Sequence, residues 1–304
     1  MKKALALILT ASLLTGVLTA CGSSKAQTDA AETTTEEATA EETAAAEETA
    51  DTDAQAETGD LQVITVAATA VPHAEILEAA KPILAEQGYD LQVTVFDDYV
   101  QPNEVVEAGD IDCNYFQHIP YLNSYNEERG THLVSVGEIH YEPIGIYAGT
   151  ESDLSNISDG ADIAIPNDTT NEARALLILQ DNGIITLKED AGIDATINDI
   201  AENPHNINFV EMEAAQVSKV LSEVAFAVIN GNYALDAGLN AQTDALVSET
   251  SDSLAAQTYV NVVVVKEGNE DNEGVKALVN VLKSDDIKKF IEETYEGAVV
   301  PFEG

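Results

Sequence analysis

The feature that most constrains the fold is a repeated alternation of β-branched apolar runs with amphipathic segments, which begins at residue 61. Leu61–Ala68 (LQVITVAA) is an almost unbroken apolar run, as expected for a strand buried on both faces. The segment after Pro72 has apolar residues at helical spacing and ends at Gly88, and Leu91–Phe96 is the next strand. This is a β-α-β unit. Repetition of such units predicts an α/β fold with a mostly parallel sheet flanked by helices.

The alternation continues in two series. The first is predicted to contain a helix near Asn103–Ala108, a strand near Asp112–Tyr115, a helix over Ile119–Glu128 and a strand over His132–Glu138. The second, which starts after Tyr147, is predicted to contain strands Ala161–Ile165, Ile207–Glu211 and Phe226–Ile229 and helices Thr170–Asn182 and Ala214–Ser222.

The last part of the chain contains a strongly β run, Tyr259–Lys266 (YVNVVVVK), followed by predicted helices Asp271–Lys283 and Asp285–Glu293. We expect this part to rejoin the first series, so that the chain crosses twice between two lobes. The predicted lobe 1 is 61–146 plus 258–304, and the predicted lobe 2 is 147–257.

The N-terminus predicts secretion and lipid anchoring. Two lysines precede an uncharged apolar run, Ala4–Ala20, as in a secretory signal peptide over 1–20. Leu-Thr-Ala-Cys then resembles the bacterial lipobox, which implies that Cys21 is acylated and attaches the protein to the membrane without spanning it. The segment 21–60 has twelve acidic residues, one lysine and no aromatic residue, so we expect a disordered acidic tether.

Composition excludes some partners but does not identify a ligand. The formal net charge is −42, which disfavours nucleic acid and anionic lipid surfaces as partners. The only cysteines are Cys21 and Cys113, so no intrachain disulfide is expected. Cys113 is predicted to be a buried free thiol, because it lies in an apolar stretch.

The sequence contains none of the motifs that would indicate an enzyme. It lacks a Gly-x-Ser-x-Gly elbow, a His-Glu-x-x-His helix, a phosphate-binding Gly-x-x-x-x-Gly-Lys loop and a Gly-x-Gly-x-x-Gly turn after a strand. The five histidines are widely separated, so no metal site can be predicted. We therefore expect a binding protein without cofactor or metal.

Aromatic residues are concentrated in one place. The chain has 10 tyrosines, 6 phenylalanines and no tryptophan, yet Tyr115, Phe116, Tyr121 and Tyr125 fall between Asn114 and Tyr125. Tyr115 and Phe116 lie at the carboxyl end of a predicted strand, where open α/β sheets bind ligands. Tyr121 and Tyr125, at helical i, i+4 spacing, are better explained by packing. An aromatic wall would suit an apolar side chain, and a thioether in particular.

Two polar positions are candidates for binding a zwitterion. Arg174 lies near the predicted start of a helix, where Thr169 and Glu172 have capping-box spacing, so the guanidinium and free backbone N–H groups could together hold a carboxylate. A solvated arginine paired with a surface acid is the alternative. Asn230 follows the strand Phe226–Ile229 and could bind amino and carboxylate groups, although Asn-Gly-Asn is equally suited to a turn.

Several stretches together resemble the methionine-binding lipoprotein family of ABC importers. They are VPHAEIL at Val71–Leu77, DYVQPN at Asp98–Asn103, NYFQHIPYL at Asn114–Leu122, IPND and NEARALL within Ile165–Leu177, EAAQ at Glu213–Gln216, AVINGNYAL at Ala227–Leu235 and GAVVP at Gly297–Pro301. Cys113 and Ala173 depart from the family pattern, in which alanine and glycine are usual at these positions.

The resemblance implies a two-lobed periplasmic-binding-protein fold that closes on one ligand. It also implies that Tyr99, Tyr115, Phe116 and His118 surround the ligand side chain, that Arg174 binds the carboxylate, and that Asn230 anchors the backbone end. Asn114 and Asn171 complete the predicted ligand-binding set.

The implied role is delivery of methionine to an ABC permease and its ATPase, from the extracytoplasmic side of the cell membrane. Alternatives of the same class are D-methionine, a methionine dipeptide or another apolar amino acid as ligand. A surface lipoprotein without a transport role remains a further possibility.

Overall fold

The computed structural model describes residues 61–250 and 254–303. The predicted signal peptide, Cys21 and the predicted tether lie outside the described residues. Within the described ranges no helix is long and apolar enough to cross a membrane.

The described strands are numbered in chain order. They are β1 (Gln62–Ala68), β2 (Tyr89–Val95), β3 (Cys113–His118), β4 (Leu133–Tyr141), β5 (Gly145–Ala148), β6 (Asp162–Pro166), β7 (Thr186–Leu187), β8 (Ile200–Glu202), β9 (Asn208–Met212), β10 (Phe226–Ile229), β11 (Ala245–Ser248), β12 (Val260–Lys266) and β13 (Val300–Pro301).

The described α-helices are numbered in the same way, and short 3-10 turns supplement them. The helices are α1 (Glu75–Glu86), α2 (Gln101–Ala108), α3 (Ile119–Arg129), α4 (Thr169–Asp181), α5 (Ala214–Val217), α6 (Gly231–Asp236), α7 (Leu254–Thr258), α8 (Glu273–Leu282) and α9 (Asp285–Tyr295).

The strands form two main sheets, one in each lobe, and the predicted two-lobed α/β arrangement is confirmed. The first sheet has the order β13-β4-β12-β3-β1-β2, and the second has the order β11-β5-β10-β6-β9. All the described residues belong to one compact unit. The chain passes between the sheets once between β4 and β5 and once between β11 and β12.

The expectation of mostly parallel sheets is wrong, because both sheets are mixed. In the first sheet β1 pairs in parallel with β2 and β3, whereas β12 is antiparallel to both β3 and β4. In the second, β10 is parallel to β6 but antiparallel to β5. Strand β12 is antiparallel to β3 because the chain enters the first sheet from the second lobe, at the edge where β3 ends.

The core of each lobe explains why its strands are so apolar. Val260–Val265 of β12 are all buried, since this strand lies inside the first sheet with helices on both faces. One face packs with α1 and α8 through residues such as Leu77 and Leu278. In the second lobe, β6 and β10 pack against α4 through Ile163, Phe226 and Leu176. Cys113 is buried and free, as predicted.

Candidate ligand-binding site

A small cavity lies between the two sheets. Its lining comes from three sources: the aromatic and amide residues of the first lobe, the segment between β4 and β5, and the starts of α4 and α6 in the second lobe. The lining residues are Tyr99, Phe116, Gln117, His118, Tyr121, Glu142, Asn171, Arg174, Asn230, Gly231, Asn232 and Asn261. The carboxyl ends of β3 and β10 both reach this cavity, as expected for open α/β sheets.

One side of the cavity is an aromatic wall. The ring centroids of Tyr99 and Phe116 are 5.8 Å apart, and that of Tyr121 lies 5.6 Å from Tyr99 and 6.1 Å from Phe116. The Tyr121 hydroxyl donates to the backbone oxygen of Tyr99 at 3.1 Å, which fixes the two rings against each other. Such a wall suits an unbranched apolar or thioether side chain.

A bulge in β3 brings three consecutive residues to the cavity. In the pairing with β12, Val262 is opposite Gln117 and Val263 is opposite Tyr115, so Phe116 is the extra residue. A regular strand would direct neighbouring side chains to opposite faces. Because a bulge redirects side chains locally, Phe116, Gln117 and His118 all line the same space.

Arg174 lies in the second turn of α4 and is 3 % exposed. Its Nε donates to Glu249 Oε1 at 3.0 Å, and its Nη2 donates to Glu249 Oε2 and, at 2.8 Å, to the backbone oxygen of Glu142. The guanidinium carbon is 4.3 Å from the centre of the Tyr259 ring. Arg174 also contacts the Tyr141 side chain, and it belongs to the lining of the cavity.

The start of α4 differs from the predicted capping box. Asp168, rather than Thr169, is the N-cap, and its side chain accepts from the Asn171 backbone N–H at 3.1 Å. Glu172 instead accepts from the backbone N–H of Ile197. Burial raises the pKa of Asp168 to about 6, partly opposed by its hydrogen bonds from Asn171.

Amide groups join His118 of the first lobe to the second lobe. His118 Nδ1 accepts from the Tyr121 backbone N–H at 3.2 Å, so Nε2 carries the hydrogen and donates to Asn171 Oδ1 at 3.1 Å. Burial lowers the pKa of His118 to about 3, and Arg174 adds to the shift, so the imidazole is neutral. Asn230 Nδ2 also donates to Asn171 Oδ1, at 2.7 Å.

Asn230 leaves one acceptor unused. Its Oδ1 is buried and has no hydrogen-bond partner within the described part of the chain. A buried amide oxygen without a partner costs about 1–3 kcal/mol. Since this atom belongs to a cavity-lining residue, a ligand N–H group can satisfy it.

Glu142 contributes a buried carboxylate from the segment between β4 and β5. Its Oε1 is 2.7 Å from His140 Nε2, whereas a Cβ added to Gly231 would lie 3.0 Å from Oε2. Oε2 therefore lies close to Gly231, which lines the cavity as Glu142 does, and the Asn232 backbone N–H donates to the carboxylate. Burial raises the pKa of Glu142, against the attraction of His73 and Arg174.

The two lobes contact each other around the cavity. Tyr99 donates to Asn232 Oδ1 at 2.5 Å, Tyr233 donates to the Asp97 backbone oxygen at 3.0 Å, and Thr169 donates to Glu128 at 2.7 Å. These pairs join opposite lobes, so the structure is a closed arrangement of the cleft.

Six of the eight predicted ligand-binding residues lie together around the cavity, and Asn114 and Tyr115 do not. The six are Tyr99, Phe116, His118, Asn171, Arg174 and Asn230. Tyr115 points to the opposite face of β3, where its hydroxyl contacts His140 Nδ1 within the first core. Asn114 donates to Asn103 Oδ1 at 2.8 Å, and its own Oδ1 accepts from the Gln117 amide, so Asn114 orients Gln117.

The prediction missed several lining residues. Tyr121 was assigned to packing, and it packs and lines the cavity at once. Glu142, Asn232 and Asn261 were not predicted, and nor was Glu249, which pairs with Arg174. The Asn-Gly-Asn motif could have indicated Asn232. Glu142 and Glu249 could not be singled out from the sequence, because the chain has 55 acidic residues.

Comparison with known proteins agrees with this geometry. Residues 64–303 match the family described as NlpA lipoprotein. The methionine-binding lipoprotein MetQ of Bacillus subtilis is 41% identical over 250 residues, which are 81% of this chain and 90% of that protein.

Two solved structures extend the comparison. A lipoprotein from Ruminococcus gnavus is 66% identical, with a TM-score of 0.79 over 80% of this chain and 100% of that one. A nutrient-binding protein from Burkholderia cenocepacia, bound to methionine, is 41% identical, with a TM-score of 0.74 over 78% of this chain and 99% of that one. The protein whose cavity is described above belongs to the NlpA lipoprotein family.

Proposed function

We propose that this protein binds methionine in the cavity between its lobes and delivers it to an ABC-type importer. The observation that carries the proposal is the combination of groups that line the cavity: the buried Arg174 guanidinium, the Asn230 Oδ1 acceptor and an aromatic wall. A zwitterion with an apolar tail complements all three. The methionine-binding relative and the methionine-bound neighbour support the choice of ligand.

In this proposal the carboxylate meets Arg174, the ammonium meets Asn230 Oδ1 and Glu142 Oε2, and the thioether meets Tyr99, Phe116 and Tyr121. The buried polar atoms then have partners, and the sulfur gains contacts with the rings. Because both lobes contribute, the ligand binds the closed state more tightly than the open one and shifts the population toward closure. The moving units would be 61–146 plus 258–304 and 147–257. The role is binding, not catalysis.

The cavity size bears on the alternatives. The cavity is small, because the space in it that is open to the centre of a water-sized sphere is about 20 Å³. A single amino acid is therefore favoured over a dipeptide.

Isothermal titration calorimetry of the refolded full chain tests the ligand. Refolding from denaturant removes any amino acid that copurifies. The panel is L-methionine, D-methionine, methionyl dipeptides, leucine and norleucine, and L-methionine should bind most tightly. Binding of leucine but not methionine would overturn the assignment.

Arg174→Lys tests the carboxylate site. Lysine keeps a cation beside Glu249 but cannot hold Glu249 and the ligand with one planar fork, so affinity should fall about tenfold or more, or about 1.4 kcal/mol. The matched control is Arg129→Lys, because Arg129 has a half-exposed side chain on the surface. Equal affinity of the two variants would refute the role of Arg174.

We further propose that Cys21, which lies outside the described residues, is acylated and holds the protein on the extracytoplasmic side of the cell membrane. Cys21→Ala should move the protein from the membrane fraction to the medium or periplasm. The partners would be a membrane permease and its ATPase, without nucleic acid. Methionine-dependent ATPase stimulation in proteoliposomes tests this, and its absence together with a lack of neighbouring transporter genes would favour a non-transport lipoprotein.

A further inference from the structure

A second polar cluster lies behind the ligand cavity, inside the first lobe. It contains His73, His140 and Glu142, all of them buried. His140 Nε2 is 2.7 Å and His73 Nε2 is 3.3 Å from the same atom, Glu142 Oε1. Asn261 Oδ1 is 3.1 Å from His73 Nε2. Two imidazole nitrogens, a carboxylate oxygen and an amide oxygen thus converge on one small region.

The Nδ1 atoms of both histidines also have hydrogen-bond partners. His73 Nδ1 is 2.8 Å from Thr69 Oγ1, and His140 Nδ1 contacts the Tyr115 hydroxyl. Hydrogen bonds at the far nitrogen orient metal-binding histidines, so these contacts fix both Nε2 atoms toward Glu142. A ring held in this way offers its Nε2 lone pair to an ion when its hydrogen lies on Nδ1.

Among the described residues, the cluster itself contains no lysine or arginine side chain. Glu142 lies between two buried imidazoles, and Arg174, the nearby cation, already holds Glu249. A buried carboxylate without a compensating charge is costly, so a positive ion bound at Oε1 would be favourable. Glu142 and Asn261 also line the ligand cavity, which gives an ion a route to the cluster when the lobes are apart.

We propose that this cluster is a binding site for a borderline divalent cation such as Zn²⁺. The ligands are His73 Nε2, His140 Nε2, Glu142 Oε1 and Asn261 Oδ1, the nitrogen and oxygen donors that zinc accepts in a four-coordinate site. On binding, each Nε2 hydrogen is replaced by the ion, and each ring carries its hydrogen on Nδ1 instead, facing the oxygen of Thr69 or Tyr115. Neither ring gains or loses a proton overall.

Titration of the full chain with ZnCl₂ tests the site. An excess of Mg²⁺ and Ca²⁺ occupies the many surface carboxylates, which these hard ions prefer, without competing for imidazole. Calorimetry should then show one saturable Zn²⁺ per chain. Co²⁺ should give the intense visible bands of a tetrahedral site.

Histidine variants locate the ion. His73→Gln and His140→Gln keep a hydrogen-bonding side chain but should weaken Zn²⁺ binding about 10- to 100-fold or more. His132→Gln, a change at an exposed histidine, is the matched control and should bind as the wild type does. Melting followed by circular dichroism identifies a variant that has failed to fold.

The outcomes are separable from those of the amino-acid titration, because the proposal does not depend on which amino acid binds. If the folded wild type shows no saturable Zn²⁺ binding above the magnesium and calcium background, or if the His73 and His140 variants bind like the His132 control, the site is refuted. A wild type that binds methionine but not zinc would leave the cluster as a hydrogen-bonded support for Glu142.

Discussion

Glu142→Gln is the change that most directly tests the charge balance of the cavity. The substitution keeps the shape of the side chain and removes its negative charge. The amide oxygen can still accept from His140 and His73 at the position of Oε1, while the NH₂ group takes the position of Oε2. Packing against Gly231 is retained, so the change acts on the charge that the proposed ligand ammonium would meet.

The magnitude follows from the burial of that charge. Truncating one partner of a buried, hydrogen-bonded charge pair costs about 2–5 kcal/mol of binding, and Glu142 is 6 % exposed. Because about 1.4 kcal/mol corresponds to tenfold, methionine should bind about 30-fold to a few thousand-fold more weakly. The new NH₂ group adds to the loss of affinity, because it places a hydrogen-bond donor against the donor groups of the ligand ammonium.

The stability of the ligand-free protein should not decrease in the same way as its affinity for methionine. The folded-state pKa of Glu142 is raised by burial above its ordinary value of 4.5. As pH rises through this window, the unfolded chain releases a proton that the folded chain keeps, so the wild type loses stability that the glutamine variant does not lose. Glu142→Gln should therefore be at least as stable at neutral pH, and the difference should vanish below pH 4.5.

The assay pairs calorimetric titration of methionine with urea unfolding of the ligand-free full chain at several pH values. Glu138→Gln is the control, because Glu138 lies on β4 just before Glu142 and does not line the cavity. Unchanged methionine affinity would refute contact between Glu142 and the ammonium. A variant that is clearly less stable than the wild type at neutral pH would show that the carboxylate is already compensated without ligand.

Three further changes probe the site. Gly231→Ala would put a Cβ 2.8 Å from the Cβ of Glu142, so it should cost about 1–3 kcal/mol of stability in urea unfolding and weaken methionine binding; unchanged values for both would contradict the close approach. Tyr99→Phe keeps the ring and loses the hydrogen bond to Asn232 across the lobes, so affinity should fall by about 0.5–1.5 kcal/mol in calorimetry, whereas no change would mean that this bond does not favour closure. For His118, the pKa is lowered from 6.5 to about 3 by burial, so the unfolded chain takes up a proton that the folded chain does not as pH falls below 6.5. Stability should therefore decrease on acidification by up to about 1.4 kcal/mol per pH unit, and His118→Gln should show a shallower decrease in the same unfolding series.

The sequence predicts the order of elements well and the direction of pairing poorly. Strand β10 was predicted with the observed bounds, Phe226–Ile229, because the buried apolar run ends where the polar turn residues Asn-Gly-Asn follow. Strands β5 and β11 were missed, since each forms through pairing with a strand that is distant in sequence. The run in β12 shows that a strand is buried on both faces, but this burial is the same for a parallel and an antiparallel neighbour, so the mixed sheets could not be predicted.

The site was predictable where its residues end regular elements and unpredictable where they lie in the segments between lobes. Phe116 and Asn230 could be predicted because they lie at strand ends. The bulge in β3, which directs Phe116 to the cavity and leaves Tyr115 in the core, has no recognisable signal in the sequence. Glu142 and Glu249 lie in the two crossings, and Arg174 contacts both of them. A ligand carboxylate held by Arg174 would therefore attach to a side chain that contacts both crossings, so binding and closure depend on the same guanidinium.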